Sequence, residues 1–133
     1  MQIVGLDHFV LTVASIPRAV GFYQSVLGMQ AEQFGPLGRW ALTFGPHKIN
    51  LHETGSEFDP KAAVALPGAA DVCFLVDDFD AVGAHLAACG VEIMMGPVPR
   101  AGARGEITSY YLRDPDLNLI ELSRYADATK AAS

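Results

Sequence analysis

Hydrophobic and polar positions along the first half of the chain follow the pattern of four strands and one helix. The strands are predicted, from their β-branched and aromatic content, at residues 8–13, 30–35, 39–45 and 48–53. Between the first two strands, apolar residues recur at helical spacing from Ile16 to Leu27, with Ser15 as the N-cap and Gly28 as the stop. The first half is therefore predicted to form a βαβββ unit.

The second half of the chain repeats this plan. Val13 matches Val76 at an offset of 63 residues, and the helix start and the glycine stop recur with it. The repeat predicts a helix that begins at Asp77 or Asp78 and ends before Gly90. Strands are predicted at residues 71–76, 91–96, 106–113 and 117–124. A second βαβββ unit is the result.

Two tandem units of this kind predict one α+β domain over residues 1–133, in which the βαβββ units form a curved mixed sheet around a metal cleft. The predicted parts are a first unit at about 1–53, a linker at about 54–69, a second unit at about 70–125 and a C-terminal tail at about 126–133. Because neither unit encloses a cleft alone, the site is expected to draw on both halves.

Composition and charge narrow the classes of function. The 133 residues are 50% hydrophobic and 18% charged, which is typical of a globular protein. No apolar run reaches the ~20 residues that a membrane-spanning helix requires. Nine basic residues against fifteen acidic ones give a net charge of −6, which disfavours nucleic acid and membrane surfaces as partners. A small-molecule substrate is the expected partner.

The N-terminus and the cysteines point to the cytoplasm. The first residues lack a basic segment followed by an apolar run, so a protein without a cleaved signal is expected. Cys73 and Cys89 lack the spacing of a zinc or redox motif. We expect two buried thiols rather than a disulfide or a zinc pair.

Polar residues interrupt the apolar strands on one face. Side chains alternate along a strand, so Phe9, Leu11 and Val13 share the face that packs on the helix. The opposite face of four strands collects polar side chains, namely those of His8, Asn50, His52, Asp71, Glu121 and Ser123. We therefore expect these side chains to face one cleft.

Two imidazoles and a carboxylate in this set suggest a metal site. Burying such groups without partners costs on the order of several kcal/mol each, so they pair with one another or coordinate a cation. Our hypothesis is that His8, His52 and Glu121 bind a divalent metal with open positions for substrate. Asp71 is then a fourth ligand or orients the others. The alternative is that each is a polar residue satisfied at a strand end.

Cationic and aromatic residues supply candidate substrate contacts. Arg104 is a candidate to bind a substrate carboxylate or phosphate, together with Arg39 and Arg100, and the alternative is that all three are surface arginines. Trp40 and Tyr111 are candidates to line a pocket for an aromatic substrate, and the alternative is a place in the core. The glycine-containing stretch 100–105 is interpreted as a loop that closes over the cleft.

The chain resembles the vicinal oxygen chelate superfamily in the segments LDHFVLTV, IPRAVGFYQSVLGM, KINLHE, ADVCFLVDD and RDPDLNLIELSRY. This superfamily includes glyoxalase I, extradiol dioxygenases, fosfomycin-resistance enzymes and bleomycin-binding proteins. At finer grain, the chain resembles small proteins called glyoxalase-domain-containing or virulence-associated, of poorly assigned activity, in KINLHE and GPVPRAGARGEITSYYLRDPDLNLIE. The resemblance covers nearly the whole chain.

The resemblance implies a set of metal ligands. Superfamily members place ligands on the first and last strands of each βαβββ unit, which correspond here to His8, Asn50 or His52, Asp71 and Glu121. His8 and Glu121 match directly. Asn50 stands where glyoxalase I typically has a carboxylate or similar ligand, and Asp71 stands where glyoxalases and extradiol dioxygenases usually have histidine. The implied ligand set therefore differs from that of either activity.

The resemblance also implies a function. It predicts a metal-dependent small-molecule enzyme of glyoxalase-like lyase or isomerase type, with Ni, Zn, Mn, Co or Fe as the metal and a substrate with vicinal oxygens. Glu121, with Asp71 as the other candidate, moves a proton between adjacent carbons in this scheme, and Asn50 contacts substrate. The alternatives are an Fe(II) extradiol-type dioxygenase and a metal-free protein that binds a drug or metabolite. Two chains of the superfamily commonly pair, so a homodimer is expected.

Overall fold

The computed structural model describes residues 1–127 of the 133-residue chain. It divides into two compact units, an N-terminal unit of Met1–Ala69 and a C-terminal unit that begins at Ala70. Residues 128–133, most of the predicted tail at 126–133, lie outside the described part. Each unit contains a four-stranded mixed sheet and its own helix, which confirms the predicted α+β fold of two tandem βαβββ units.

The N-terminal unit has every element that its sequence predicts. Its elements are β1 (Phe9–Val13), α1 (Ile16–Ser25), β2 (Gln30–Phe34), β3 (Arg39–Phe44) and β4 (His47–Glu53). The strand order is β1-β4-β3-β2, in which β1 and β4 are parallel and the other pairs are antiparallel. β4 therefore has a hydrogen-bonded neighbour on both sides, and the four residues 49–52 in it are buried.

Helix α1 begins at Ile16, as the sequence predicts, because side chains satisfy its first amide groups, and it ends at Ser25, two residues before the predicted Leu27. The Ser15 hydroxyl accepts a hydrogen bond from the Arg18 amide at 3.3 Å, and Glu53 Oε2 at the end of β4 accepts one from the Ile16 amide at 2.9 Å. Gly28 follows the helix in the left-handed conformation, with φ 69°. Buried Ala19 and Tyr23 hold the helix on the apolar side of the sheet.

The C-terminal unit has the same order of elements with a weaker helix. It contains a 3₁₀ turn (Phe79–Ala81) that leads into a short helix, α2 (Val82–Ala88). Its strands are β5 (Asp71–Leu75), β6 (Met95–Gly102), β7 (Gly105–Arg113) and β8 (Leu119–Tyr125), in the order β5-β8-β7-β6. Phe79, Val82 and Leu86 bury the apolar face of the turn and helix. No helix among the described residues is long and apolar enough to cross a membrane.

One predicted strand was wrong in position, and a predicted loop was wrong with it. The strand expected at 91–96 lies at Met95–Gly102, so residues 100–105 form the end of a β-hairpin rather than a loop that closes over a cleft. Pro97 and Pro99 read as strand breakers in the sequence. They are tolerated because β6 is an edge strand, whose outward amide positions need no partner in the sheet.

The turn between β7 and β8 is built around Asp114. Its Oδ1 accepts hydrogen bonds from the amides of Asp116 and Asn118 at 2.9 Å each, and its Oδ2 accepts one from the Asn118 side chain at 2.8 Å. Asn118 Oδ1 in turn accepts a hydrogen bond from the Ala70 amide at 2.9 Å. This buried network joins the β7–β8 turn to the start of β5.

Candidate functional site

Asn50 and His52 lie on the polar face of the N-terminal sheet, as the alternation of the sequence predicts. In the parallel pairing of β1 with β4, Asn50 is opposite Val10 and His52 is opposite Thr12. The intervening Leu51 points to the side of helix α1. Asn50 and His52 are only 5% and 3% exposed, so both polar side chains are removed from solvent.

Arg39 contacts His52 directly. An Nη2–H of the guanidinium donates to His52 Nε2 at 3.1 Å, so this ring nitrogen is an acceptor and the ring is neutral, with its hydrogen on Nδ1. Burial lowers the pKa of His52 below its ordinary value, and the Arg39 charge lowers it further. Phe58 packs edge-on against the His52 ring with centroids 5.8 Å apart, and its ring lies 4.8 Å from the Arg39 guanidinium carbon.

His8 lies just before β1 and is half-exposed. Its Nδ1 is 2.7 Å from Asp7 Oδ2, and its side chain keeps 43% exposure. A carboxylate on one ring nitrogen fixes the tautomer and directs the other nitrogen outward, which is the arrangement common among metal-bound histidines. Nε2 is therefore the nitrogen that His8 presents to a ligand.

Glu121 is the final acceptor of a hydrogen-bonded chain on the polar face of the C-terminal sheet. Ser109 Oγ donates to Glu121 Oε2 at 2.5 Å, and Ser109 Oγ lies 2.6 Å from Ser123 Oγ. Because Ser109 has one hydroxyl hydrogen and gives it to Glu121, its oxygen accepts from Ser123. Ser123 Oγ lies 3.2 Å from Cys73 Sγ and accepts from that thiol in turn.

The prediction that both cysteines are free thiols is confirmed, and the prediction that both are buried is wrong. Both are free thiols, as expected, but both residues are exposed rather than buried. At Cys73, the sulfur itself is partly covered, and this burial raises the pKa of its thiol. The thiol is therefore protonated at neutral pH and serves as a donor to Ser123.

Strand register places Asp71 and Tyr111 on the same face as Glu121. Tyr111 is directly opposite Glu121 in the pairing of β7 with β8, and Cys73 is opposite Glu121 on the other side. Asp71 precedes Cys73 by two residues and is exposed on that face. The Tyr111 hydroxyl accepts a hydrogen bond from Arg100 Nε at 3.0 Å.

Trp40 and Arg104 lie elsewhere. Trp40 is opposite Leu51 in the pairing of β3 with β4, which places it on the helix side and not with Asn50 and His52. There it lines an open groove of about 570 Å³ beside helix α1. Arg104 is in the β6–β7 turn, where its amide donates to the Tyr125 hydroxyl at 3.1 Å and its guanidinium carbon lies 5.0 Å from the Tyr125 ring.

The sequence did not identify one residue of these faces and left the position of a second one open. Ser109 was missed, although it alternates with Tyr111 along β7 and so shares the face of Glu121. Arg39 was one candidate substrate contact among three arginines, with a surface position as the alternative. The structure instead places it partly buried, on the polar face and against His52.

The side chains proposed from the sequence as metal donors fit a metal only in part. Among residues 1–127, no group of three or more His, Cys, Asp or Glu side chains is arranged to hold a metal ion. His8 and Glu121 fit by chemistry, since Asp7 and Ser109 orient them as supporting residues orient metal ligands. His52 does not fit, because its Nε2 already accepts from a cationic guanidinium.

Comparison with known proteins agrees with this architecture. Residues 5–122 match the family described as the Glyoxalase/Bleomycin resistance protein/Dioxygenase superfamily. Glyoxalase domain-containing protein RDO1 of Mycosarcoma maydis is 50% identical over 129 residues, which cover 96% of this chain and 72% of that protein.

Solved structures show the same likeness. The integron cassette protein VCH_CASS1 from the V. cholerae mobile metagenome has a TM-score of 0.91 at 55% identity, covering 95% of this chain and 98% of that one. The crystal structure of virulence protein STM3117 from Salmonella typhimurium has a TM-score of 0.92 at 48% identity, covering 95% of this chain and all of that one. The chain therefore belongs to the glyoxalase/bleomycin resistance/dioxygenase superfamily.

Proposed function

We propose that this protein is a divalent-metal-dependent enzyme of glyoxalase-like lyase or isomerase type that acts on a small molecule with vicinal oxygens. The observation that carries the proposal is the hydrogen bond of 2.5 Å from Ser109 to Glu121 Oε2. A hydroxyl that donates to one carboxylate oxygen fixes the orientation of the whole carboxylate, including its second oxygen. A carboxylate oxygen needs such a fixed orientation to bind a metal or to accept a proton.

Glu121 is the residue proposed to move the proton. The Ser109 hydroxyl donates to Oε2, so Oε1 is the oxygen that takes a proton from a substrate carbon and returns it to the neighbouring carbon. Asp71, on the same face, is the other candidate for this role. A divalent metal, when bound, supplies a Lewis acid that stabilises the oxyanion which develops during such a transfer.

The proposed donors are His8 in the N-terminal unit and Glu121 and Asp71 in the C-terminal unit. His8 presents Nε2 because Asp7 holds Nδ1, and Glu121 presents Oε1 because Ser109 holds Oε2. His52, which the sequence suggests as a third donor, is not in this set because its Nε2 accepts from Arg39. Its proposed role is to position Arg39, to whose guanidinium it offers Nε2. Tyr111, opposite Glu121, and Arg104 remain proposed substrate contacts.

The metal content of variants tests these roles. We expect untagged wild-type protein to bind close to one equivalent of Ni, Zn, Mn, Co or Fe by elemental analysis. His8→Ala and Glu121→Gln should lose the metal, whereas His52→Gln should retain it. His47→Ala is the matched control, since His47 is exposed in the same strand as His52. Full metal content in both His8→Ala and Glu121→Gln contradicts the proposed donors.

A second function is a metal-free protein that binds a drug or metabolite. The observation in its favour is that no three donor side chains of the described residues are arranged for a metal. Protein that binds none of these metals on titration supports this function and overturns the first. Fe(II) as the bound metal directs the search for substrates to catechols and the dioxygenase reaction. The cytoplasmic location and the homodimer stay predictions of the sequence.

A further inference from the structure

Two polar atoms on the polar face of the N-terminal sheet are buried without a hydrogen-bond partner. Among the described residues, they are Nε of Arg39 and Oδ1 of Asn50. Asn50 is 5% exposed, so its side chain has little access to solvent. A buried donor or acceptor without a partner lowers stability, and its presence in a native fold calls for an explanation. A bound ligand that pairs with both atoms is such an explanation.

Arg39 and Asn50 form a diagonal pair across β3 and β4. Ala41 is opposite Asn50 and Trp40 is opposite Leu51, so Arg39 falls opposite His52 on the same face as Asn50. Residues in such a diagonal pair are about 7 to 8 Å apart at Cα, which the long arginine side chain spans. One small molecule can therefore contact both the Arg39 Nε donor and the Asn50 Oδ1 acceptor.

Arg39 is held rigidly by its neighbours. Its Nη2 donates to His52, and the Phe34 and Phe58 rings lie 5.4 and 4.8 Å from its guanidinium carbon. These contacts fix the plane of the guanidinium, so the Nε–H bond of Arg39 has a fixed orientation. An arginine ordered in this way loses little conformational freedom when it binds an anion.

The charge of Arg39 is not neutralised by the side chains around it. His52 is neutral, and Glu57, the nearby acid, accepts from the Gly55 amide at 2.8 Å and pairs with Lys61 at 3.5 Å. Within residues 1–127, no ion pair joins Arg39 to a carboxylate. Lys48, two residues before Asn50 on the same face, adds a second positive charge. This region therefore favours an anionic group.

We propose that Arg39 and Asn50 together recognise a 2-hydroxy carboxylate group. The carboxylate accepts the hydrogen bond from Arg39 Nε, and the adjacent hydroxyl donates to Asn50 Oδ1. The two substrate oxygens are vicinal, so this inference names the substrate class of the proposed function and rests on it. Arg39 and Asn50 are binding residues in this scheme, and His52 is a positioning residue.

Three small probes test this recognition on the full chain in EDTA. Lactate carries both groups, propionate lacks the hydroxyl and propane-1,2-diol lacks the carboxylate. We expect backbone amide shifts in NMR to show lactate bound about tenfold more tightly than propionate, with no binding of the diol. Equal affinities for lactate and propionate, or no lactate binding, overturn the proposal without recourse to any variant.

Variants then assign the two contacts. Arg39→Lys keeps the charge but loses the Nε donor, and it should weaken lactate binding by about tenfold or more. Asn50→Leu should bind lactate and propionate equally, because the hydroxyl has lost its acceptor. Arg18→Gln is the matched control, since it removes an exposed arginine of the same unit from helix α1. Lactate affinity that is unchanged in Arg39→Lys contradicts the assignment.

The experiments distinguish failure of the metal-dependent function from failure of the recognition by Arg39 and Asn50. Lactate discrimination in EDTA, together with no metal bound on titration, supports the recognition by Arg39 and Asn50 and overturns the metal-dependent function. Metal bound through His8 and Glu121, together with no preference for lactate over propionate, overturns the recognition alone.

Discussion

The Ser109 hydroxyl donates to Glu121 Oε2 at 2.5 Å, across two strands that are neighbours in the C-terminal sheet. Ser109 is fully buried and is also bonded to Ser123 at 2.6 Å, so its oxygen cannot rotate away from the carboxylate without loss of a second hydrogen bond. The carboxylate of Glu121 is thus oriented by its sheet rather than by solvent.

Ser109→Ala should weaken metal binding and activity by about 10- to 100-fold, since the carboxylate loses the group that orients it. The free energy of unfolding should fall by about 1 to 2 kcal/mol, because Ser123 loses a partner as well. Chelator competition and urea unfolding measure the two effects. Thr108→Ala is the control, as Thr108 is adjacent along β7 but points to the opposite face. Equal metal affinity in both variants contradicts the orienting role.

The stability of the protein should decrease as the pH is lowered below about 6.5, in part through His52. The pKa of His52 in the folded protein lies below the ordinary value of 6.5, chiefly because of burial and then because of Arg39. Between the two values, the unfolded chain binds a proton that the folded protein does not, so acid favours unfolding. Well above pH 6.5, His52 is neutral in both the folded and the unfolded chain, and its contribution no longer changes with pH.

Urea unfolding at pH 7.5 and 5.5 measures this contribution. His52→Gln should lose less stability over that interval than the wild type does. His47→Gln should behave as wild type, because His47 is exposed at the start of the same strand. A pH dependence that is the same in His52→Gln and in the wild type contradicts the assignment.

Gly96→Ala should lower the free energy of unfolding by about 2 to 4 kcal/mol. Gly96 has φ 123°, and a Cβ there would lie 2.5 Å from the Ser109 carbonyl oxygen and 2.9 Å from Tyr110 Cα. Both are backbone atoms of β7, so the strand itself has to shift. Because Ser109 belongs to the strand that shifts, the support of Glu121 should weaken as well.

Gly90→Ala separates this clash from backbone strain. Gly90 has a positive φ of 69° with no atom within 4 Å of the added Cβ, so its substitution should cost about 1 to 2 kcal/mol, from conformation alone. Chemical denaturation measures both variants. If Gly96→Ala lowers the free energy of unfolding by no more than Gly90→Ala does, the predicted clash with the β7 backbone is contradicted.

Leu117→Gly should raise the free energy of unfolding by about 0.5 to 1 kcal/mol. Leu117 has φ 70°, which is unfavourable for a residue with a side chain, and it is 67% exposed, so little packing is lost. Leu37→Gly is the matched control, since Leu37 is 70% exposed in a turn and is not among the residues with positive φ. It should be neutral or destabilising. A decrease in the melting temperature of Leu117→Gly contradicts the prediction.

The sequence by itself determined the order of the elements and the sides of the strands. Ser15 and Gly28 locate helix α1 because caps act through groups only a few residues apart. Asn50 and His52 could be placed on one face because side chains alternate along any strand. These rules are local, and they do not depend on which strands pair in the sheet. The family resemblance, which rests on the same segments, was confirmed as well.

Only the tertiary structure decided which side chains meet across strands. The distance from Arg39 to His52 depends on the register of β3 against β4, and a shift by one residue would turn Arg39 to the helix side. The same holds for Ser109 and Glu121 in β7 and β8. The edge position of β6, which tolerates Pro97 and Pro99, also depends on strand order. Partners far apart along the chain are chosen by packing and hydrogen bonding of the whole sheet, and no local pattern encodes that choice.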